Sequence, residues 1–177
     1  MEQIKNAKAC ELIKDFSFPK YSEIPNVGLF LDQVNKYVNE YLKPLTGISI
    51  TPSMISNYVK KGLLDNPIKK QYYRDHIIYV FFIAIAKSVL SLEEIEILIN
   101  SKNRDYDCKY LYEYFCVEFE NVLFNVFGIN DSYEETELSP TQDRILLHNA
   151  ILTSAHKIYL DTIFMLKSKD GEDAGKQ

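Results

Sequence analysis

The chain has 177 residues, of which 46% are hydrophobic and 25% charged, the composition of one ordinary globular domain or of two small ones sharing a core. Its net charge of −5 argues against a nucleic-acid partner, yet the charge is uneven: residues 1–50 are net 0, residues 51–90 carry six basic against two acidic groups, and the last 87 residues are net −9. A basic segment inside an acidic protein predicts a local anionic partner, because the field at a surface follows charges within a Debye length of about 8 Å.

Three cysteines, Cys10, Cys108 and Cys116, are an odd number in a chain long enough to stabilise itself by apolar burial. Reduced thiols and a cytoplasmic location are expected. The N-terminus alternates charged and apolar residues without the apolar run of a signal peptide, so it is expected to remain in the mature protein. The longest apolar run, Ile77 to Ala86, falls far short of the roughly 20 residues of a membrane span.

In chain order, a first helix is expected over Glu2 to Asp15, interrupted by the stretch holding Pro19 and Pro25. Leu31, Val34, Val38 and Leu42 recur at helical spacing, with Asp32, Asn35, Lys36, Asn39 and Glu40 between them, and Pro44 ends that helix. A short helix over 52–61 follows: Thr51 is its cap, Pro52 its first residue and Gly62 its left-handed stop. One face carries Ile55, Tyr58 and Val59, and the other carries Ser53, Ser56, Asn57 and Lys60.

The basic segment IKKQYYRD, entered through Asp65, Asn66 and Pro67, predicts a small hairpin or extended wing. An all-round apolar helix then runs from Asp75 to Val89, preceded by His76 as a packing or capping group, and Ser91 with Glu94 forms a capping box for a helix to Asn100. After Asp105, Leu111, Phe115, Phe119, Val122 and Val126 form the stripe of a helix closed by Gly128. An acidic loop over 130–137 leads to a final helix opened by Ser139, Pro140 and Gln142 and patterned to Leu166. The last ten residues, SKDGEDAGKQ, have the composition of a disordered tail.

Two helices joined by a turn containing Gly47, the second short and polar on its outer side, fit a helix-turn-helix whose 52–61 helix enters a major groove about 12 Å wide. In that reading Asn57 pairs with adenine, Ser53 and Ser56 bond bases or phosphate, and Lys60 and Lys61 neutralise phosphates. An ordinary helical corner with a solvated face is the alternative for this spacing.

The stretch GISITPSMISNYVKKGLL with KKQYYRDHI, the apolar helix and SLEEIEILI resembles the DNA-binding domain of MerR-type regulators. Gly62, Leu63 and Leu64 match the end of that family's groove-reading helix, and Lys70, Gln71 and Tyr72 stand where its wing has Arg-x-Tyr. The chain departs from the pattern with Ser56, Asn57, Tyr58 and Val59 in the reading helix and with a shorter wing. PNVGLFLDQVNKYVNEYL followed by the Thr51–Leu64 run and a Lys-Lys-x-Tyr segment is similar, more closely, to the bacterial family called domain of unknown function 1836, over about residues 23–102. That resemblance implies a transcription regulator with a DNA-facing set of Ser53, Ser56, Asn57, Tyr58, Lys60, Lys61, Lys69, Lys70, Tyr72 and Arg74.

The expectation is therefore an all-α protein with an N-terminal helical arm (1–22), a MerR-like helix-turn-helix with a short wing (23–102), a C-terminal helical dimerisation or effector region (103–167) and a tail (168–177). It reads duplex DNA with helix 52–61. A homodimer seam is expected along Ile145, Leu152, Ala155, Tyr159 and Leu166, with packing on the 106–127 helix as the alternative. Tyr106, Tyr110, Tyr112 and Tyr114 are either an effector pocket or core. Cys108 with Cys116, and His148 with His156, lie two helical turns apart, about 12 Å, too far for one zinc. No phosphate loop, nucleophile elbow or zinc-protease motif occurs, so neither a cofactor nor an enzymatic role is expected. The rival readings are a protein-interaction module using the acidic, aromatic C-terminal half, and a small-molecule sensor.

Overall fold

The computed structural model describes residues 6–100, 107–130 and 142–174. They form seven helices: α1 (Ala7–Ile13), α2 (Leu31–Leu42), α3 (Pro52–Lys60), α4 (Arg74–Ala86), α5 (Leu92–Asn100), α6 (Cys108–Val126) and α7 (Gln142–Ala174), with a 3-10 turn at Tyr21–Glu23. The described residues hold no strand, only two isolated antiparallel bridges, Leu29 with Tyr72 and Ile68 with Gln71. The fold is all-α.

The helices start and stop where the chemistry directs. Asn6 caps α1 through Ala9, Asp107 caps α6 through Tyr110, and Ser91 and Glu94 close a reciprocal box at α5, with Ser91 N donating to Glu94 Oε2 at 2.7 Å and Glu94 N to Ser91 Oγ at 3.2 Å. Those bonds hold the Glu94 carboxyl below its usual range. The helix expected from Glu2 is described from Ala7 only, the residues before Asn6 lying outside the described part. The acidic loop after Asn130 and the Ser139–Pro140 opening of the last helix lie outside it as well.

α4 is the centre of the molecule. It is apolar on every side, and Ile77, Val80, Phe81, Ile83 and Ile85 are sealed from solvent. His76 at its start accepts from Tyr73 N through Nδ1 at 3.0 Å, the capping role expected of it. Around α4 gathers an aromatic cluster in which Phe18 meets Phe81, Phe115 and Phe119 at ring distances of 5.7, 5.5 and 5.6 Å. One core therefore runs from Ala9 to Ile158 through the arm, the middle segment and the C-terminal helices.

α7 lies along α6 and reaches α1, α4 and α5. Ile151, Ala155 and Ile158 are buried there, and Glu118 of α6 approaches His148 Nδ1 at 2.6 Å. Of the five positions expected to form a dimer seam, Ala155 is sealed inside the chain, Leu152, Tyr159 and Leu166 pack on its own core, and Ile145 alone is exposed. The stripe is used mainly within the molecule. The tail expected from Ser168 is helical as far as Ala174: Ser168 Oγ donates to Phe164 O at 3.0 Å, and Asp170 forms an exposed pair with Lys8 of α1 at 2.8 Å.

Glu120 on α6 accepts from Phe18 N at 2.8 Å and is largely shielded from solvent. Burial raises its carboxyl above the usual value, and the Phe18 bond opposes that shift less strongly. A raised folded-state value means the folded chain holds this proton more tightly than the unfolded chain. Its contribution to stability is full below pH 4.5 and declines as pH rises through the raised value. Glu120→Gln keeps the acceptor and removes the charge, so it should stabilise the protein at pH 7 by less than about 1 kcal/mol, discounted for partial solvent access, and flatten that decline. Urea unfolding at pH 4 and pH 7 measures both effects.

Candidate nucleic-acid interface

α3 is held as a rigid ledge. Thr51 Oγ1 accepts from Met54 N at 3.2 Å, and Pro52 occupies the first turn, where a missing N–H costs nothing. At the other end Gly62 takes φ +77, Gly62 N donates to Val59 O and Leu63 N to Tyr58 O, both at 3.0 Å, a Schellman closure with Leu63 folded into the core. The inner side buries Ile55 and Tyr58.

The angle between α2 and α3 is set by Asn39. Its amide brackets one residue across the turn, Nδ2 donating to Ile50 O at 2.9 Å while Oδ1 accepts from Ile50 N at 3.0 Å. Gly47 in the same turn has φ +81, and a Cβ there would stand 2.8 Å from Asp161 Oδ2 of α7. The left-handed backbone favours glycine there, and a side chain would also push the Asp161 carboxylate aside.

The outer side of α3 is what the sequence pattern anticipated: Ser53, Ser56, Asn57, Lys60 and Lys61 are all exposed. Beyond Leu64, residues 68–71 make a minimal wing. Ile68 N donates to Gln71 O at 3.0 Å and Gln71 N to Ile68 O at 2.9 Å, closing a two-residue turn whose central residues, Lys69 and Lys70, have φ of 50 and 66. Two successive positive φ values are the pattern of a type I′ turn, usually met by Asn-Gly. The wing is fastened to the body where Leu29 and Tyr72 exchange backbone bonds at 2.8 Å.

Three of the ten expected DNA-facing residues sit elsewhere. Tyr58 is 2% and Tyr72 5% exposed, so both are parts of the platform, and burial raises both phenols. Arg74 spends Nε and Nη2 on Ile24 O at 3.0 and 2.9 Å and lies 4.7 Å over the Tyr21 ring, tying the 3-10 turn to α4. The remaining seven form two exposed groups, one along α3 and one at the wing tip. Among the described residues, Lys60, Lys61, Lys69 and Lys70 enter no ion pair.

The Asn39 bracket was not apparent from periodicity, which ranks asparagine with the solvated face. Of the tyrosines considered for an effector pocket, Tyr106 lies outside the described residues, Tyr112 donates its buried hydroxyl to Pro19 O at 2.7 Å, and Tyr110 and Tyr114 are both engaged by Arg144. Among the described residues no group of three or more His, Cys, Asp or Glu side chains could hold a metal ion, and no helix is long and apolar enough to cross a membrane.

The geometry defines a class: a small all-helical protein presenting a capped, polar and basic short helix and, a few residues on in the chain, an exposed cationic turn. The chain belongs to the family described as Domain of unknown function (DUF1836), whose model matches residues 19–115. That span reaches past Asn100 into α6, whose Tyr112 bonds Pro19 and whose Phe115 packs on Phe18, so the start of α6 belongs to the same core. Neither a curated protein nor a solved structure matches the chain.

Proposed function

We propose that this protein is a DNA-binding transcription regulator of MerR-like helix-turn-helix type, with α3 in the major groove and the wing on the neighbouring backbone. The observation that carries the reading is the gathering of four exposed lysines on α3 and the wing, inside the net-basic segment 51–90 of a chain of net charge −5. Four exposed cations gathered on one short helix and one turn are available to an external anion even where the whole chain is acidic. Ser53, Ser56 and Asn57 lie among these charges with the hydrogen-bonding groups that base edges require.

Two copies are expected on a two-fold site, meeting along the outer side of α7 where Ile145, Leu146, Leu160 and Phe164 remain exposed.

Fluorescence anisotropy with a labelled duplex of about two helical turns, read between about 50 and 200 mM salt, tests the reading. Four lysines on four phosphates predict a slope of log K against log salt near −3.6 per bound chain, at roughly −0.9 per phosphate, and saturation at two chains per duplex. Absence of binding at the lowest salt would contradict it.

A further inference from the structure

The wing carries more than charge. Leu29 pairs with Tyr72, and their side chains turn toward the core, so the flanking residues Gly28, Phe30, Gln71 and Tyr73 turn to the opposite face. Ile68, bridged to Gln71, joins that face. The arrangement is tight: a Cβ on Gly28 would lie 2.7 Å from Gln71 Cβ, so the missing side chain is what lets Gln71 lie across this strand, and Tyr73 Oη donates to Gln71 Oε1 at 3.5 Å.

What this face leaves in solvent is apolar. Phe30 is 55% and Ile68 59% exposed, and Lys69 and Lys70 follow Ile68 directly. Exposed phenylalanine and isoleucine a few residues from two cations form an amphipathic patch, with no segment of the described chain covering it.

We infer that this patch packs on the deoxyribose wall of duplex DNA flanking the groove entered by α3, with Lys69 and Lys70 on the adjacent phosphates. The inference rests on the DNA-binding reading and names a second contact within it. Charge complementarity selects the occupant: a sugar–phosphate wall offers apolar sugar faces and anionic oxygens a few ångströms apart, which is the pairing that Phe30, Ile68 and the two lysines present. The contact reads no base, so it adds affinity without sequence preference.

The test is the double variant Phe30→Ser, Ile68→Ser in the full chain, titrated against the same labelled duplex. Phe30 stands at the cap position of α2, where serine is favoured, and its own backbone N–H, which donates to Gln33 Oε1, is untouched by the change, so the fold should be kept, as an unchanged melting curve would verify. Affinity should fall about tenfold, equally on unrelated duplex sequences, with the salt slope unchanged because no phosphate contact is removed. Wild-type affinity in the variant would overturn the inference while leaving the proposed function standing. A loss accompanied by a shallower slope would also overturn it, since the patch would then only aim the lysines. Failure of the wild-type protein to bind would remove both readings together.

Discussion

Replacing Lys60 and Lys61 by glutamate is expected to weaken binding to duplex DNA by a hundredfold to a thousandfold at about 0.15 M salt, with folding unaffected. A slope of −0.9 per phosphate, referred to about 1 M salt, makes each phosphate contact worth roughly fivefold at 0.15 M. Two lost contacts thus cost about thirtyfold, and two carboxylates set against the same phosphates add repulsion of similar size. Lys60 and Lys61 close α3 at the end where the helix dipole is negative, so glutamate there is mildly unfavourable, worth a few tenths of a kcal/mol for exposed groups. The Schellman closure at Gly62 uses only backbone bonds and stays intact. Anisotropy titration beside a thermal melt separates the two effects, and the salt slope should become shallower by at least about 1.8.

The second large effect is a trade between stability and affinity at the wing. Lys69 and Lys70 both hold left-handed backbone, which costs a residue with a Cβ about 1 kcal/mol or more, whereas Asn-Gly adopts the same turn readily. Lys69→Asn with Lys70→Gly is therefore expected to stabilise the protein by about 1 kcal/mol net of the extra freedom glycine gives the unfolded chain, raising Tm by about 2–4 °C. The same change should weaken DNA binding about thirtyfold at 0.15 M salt, since two phosphate contacts are lost. Strain retained where better turn residues exist is what a functional constraint leaves behind. A variant that gains stability and loses no affinity would show the lysines to be incidental.

Much of the frame was legible in the sequence because its signals are local. Thr51, Pro52 and Gly62 bound α3, the Ser91–Glu94 pair opens α5, and the i, i+3, i+4 spacing separates the exposed serines, Asn57 and Lys60 of α3 from buried Ile55. What periodicity cannot supply is the direction a long polar side chain takes once neighbours arrive from far along the chain. Arg74 looks like a phosphate cation until Ile24, fifty residues earlier, offers its carbonyl. Asn39 looks solvated until Ile50 comes within reach, and Tyr58 and Tyr72 look like contact residues until the core closes over them. The wing is a harder case. Two lysines at positive φ contradict turn propensity, so the hairpin was foreseeable from its length and basic character and its conformation was not. The helical extension to Ala174 carries a Lys8–Asp170 pair spanning almost the whole chain, a contact that no local reading contains.

Recovery and sequencing of sheared DNA from the source genome, using purified protein beside the Lys60→Glu, Lys61→Glu variant, addresses the central claim most directly. The native protein is expected to enrich a small set of shared sites and the variant to enrich none. Equal background from both proteins, or no DNA from either at low salt, would contradict a groove-reading role for α3.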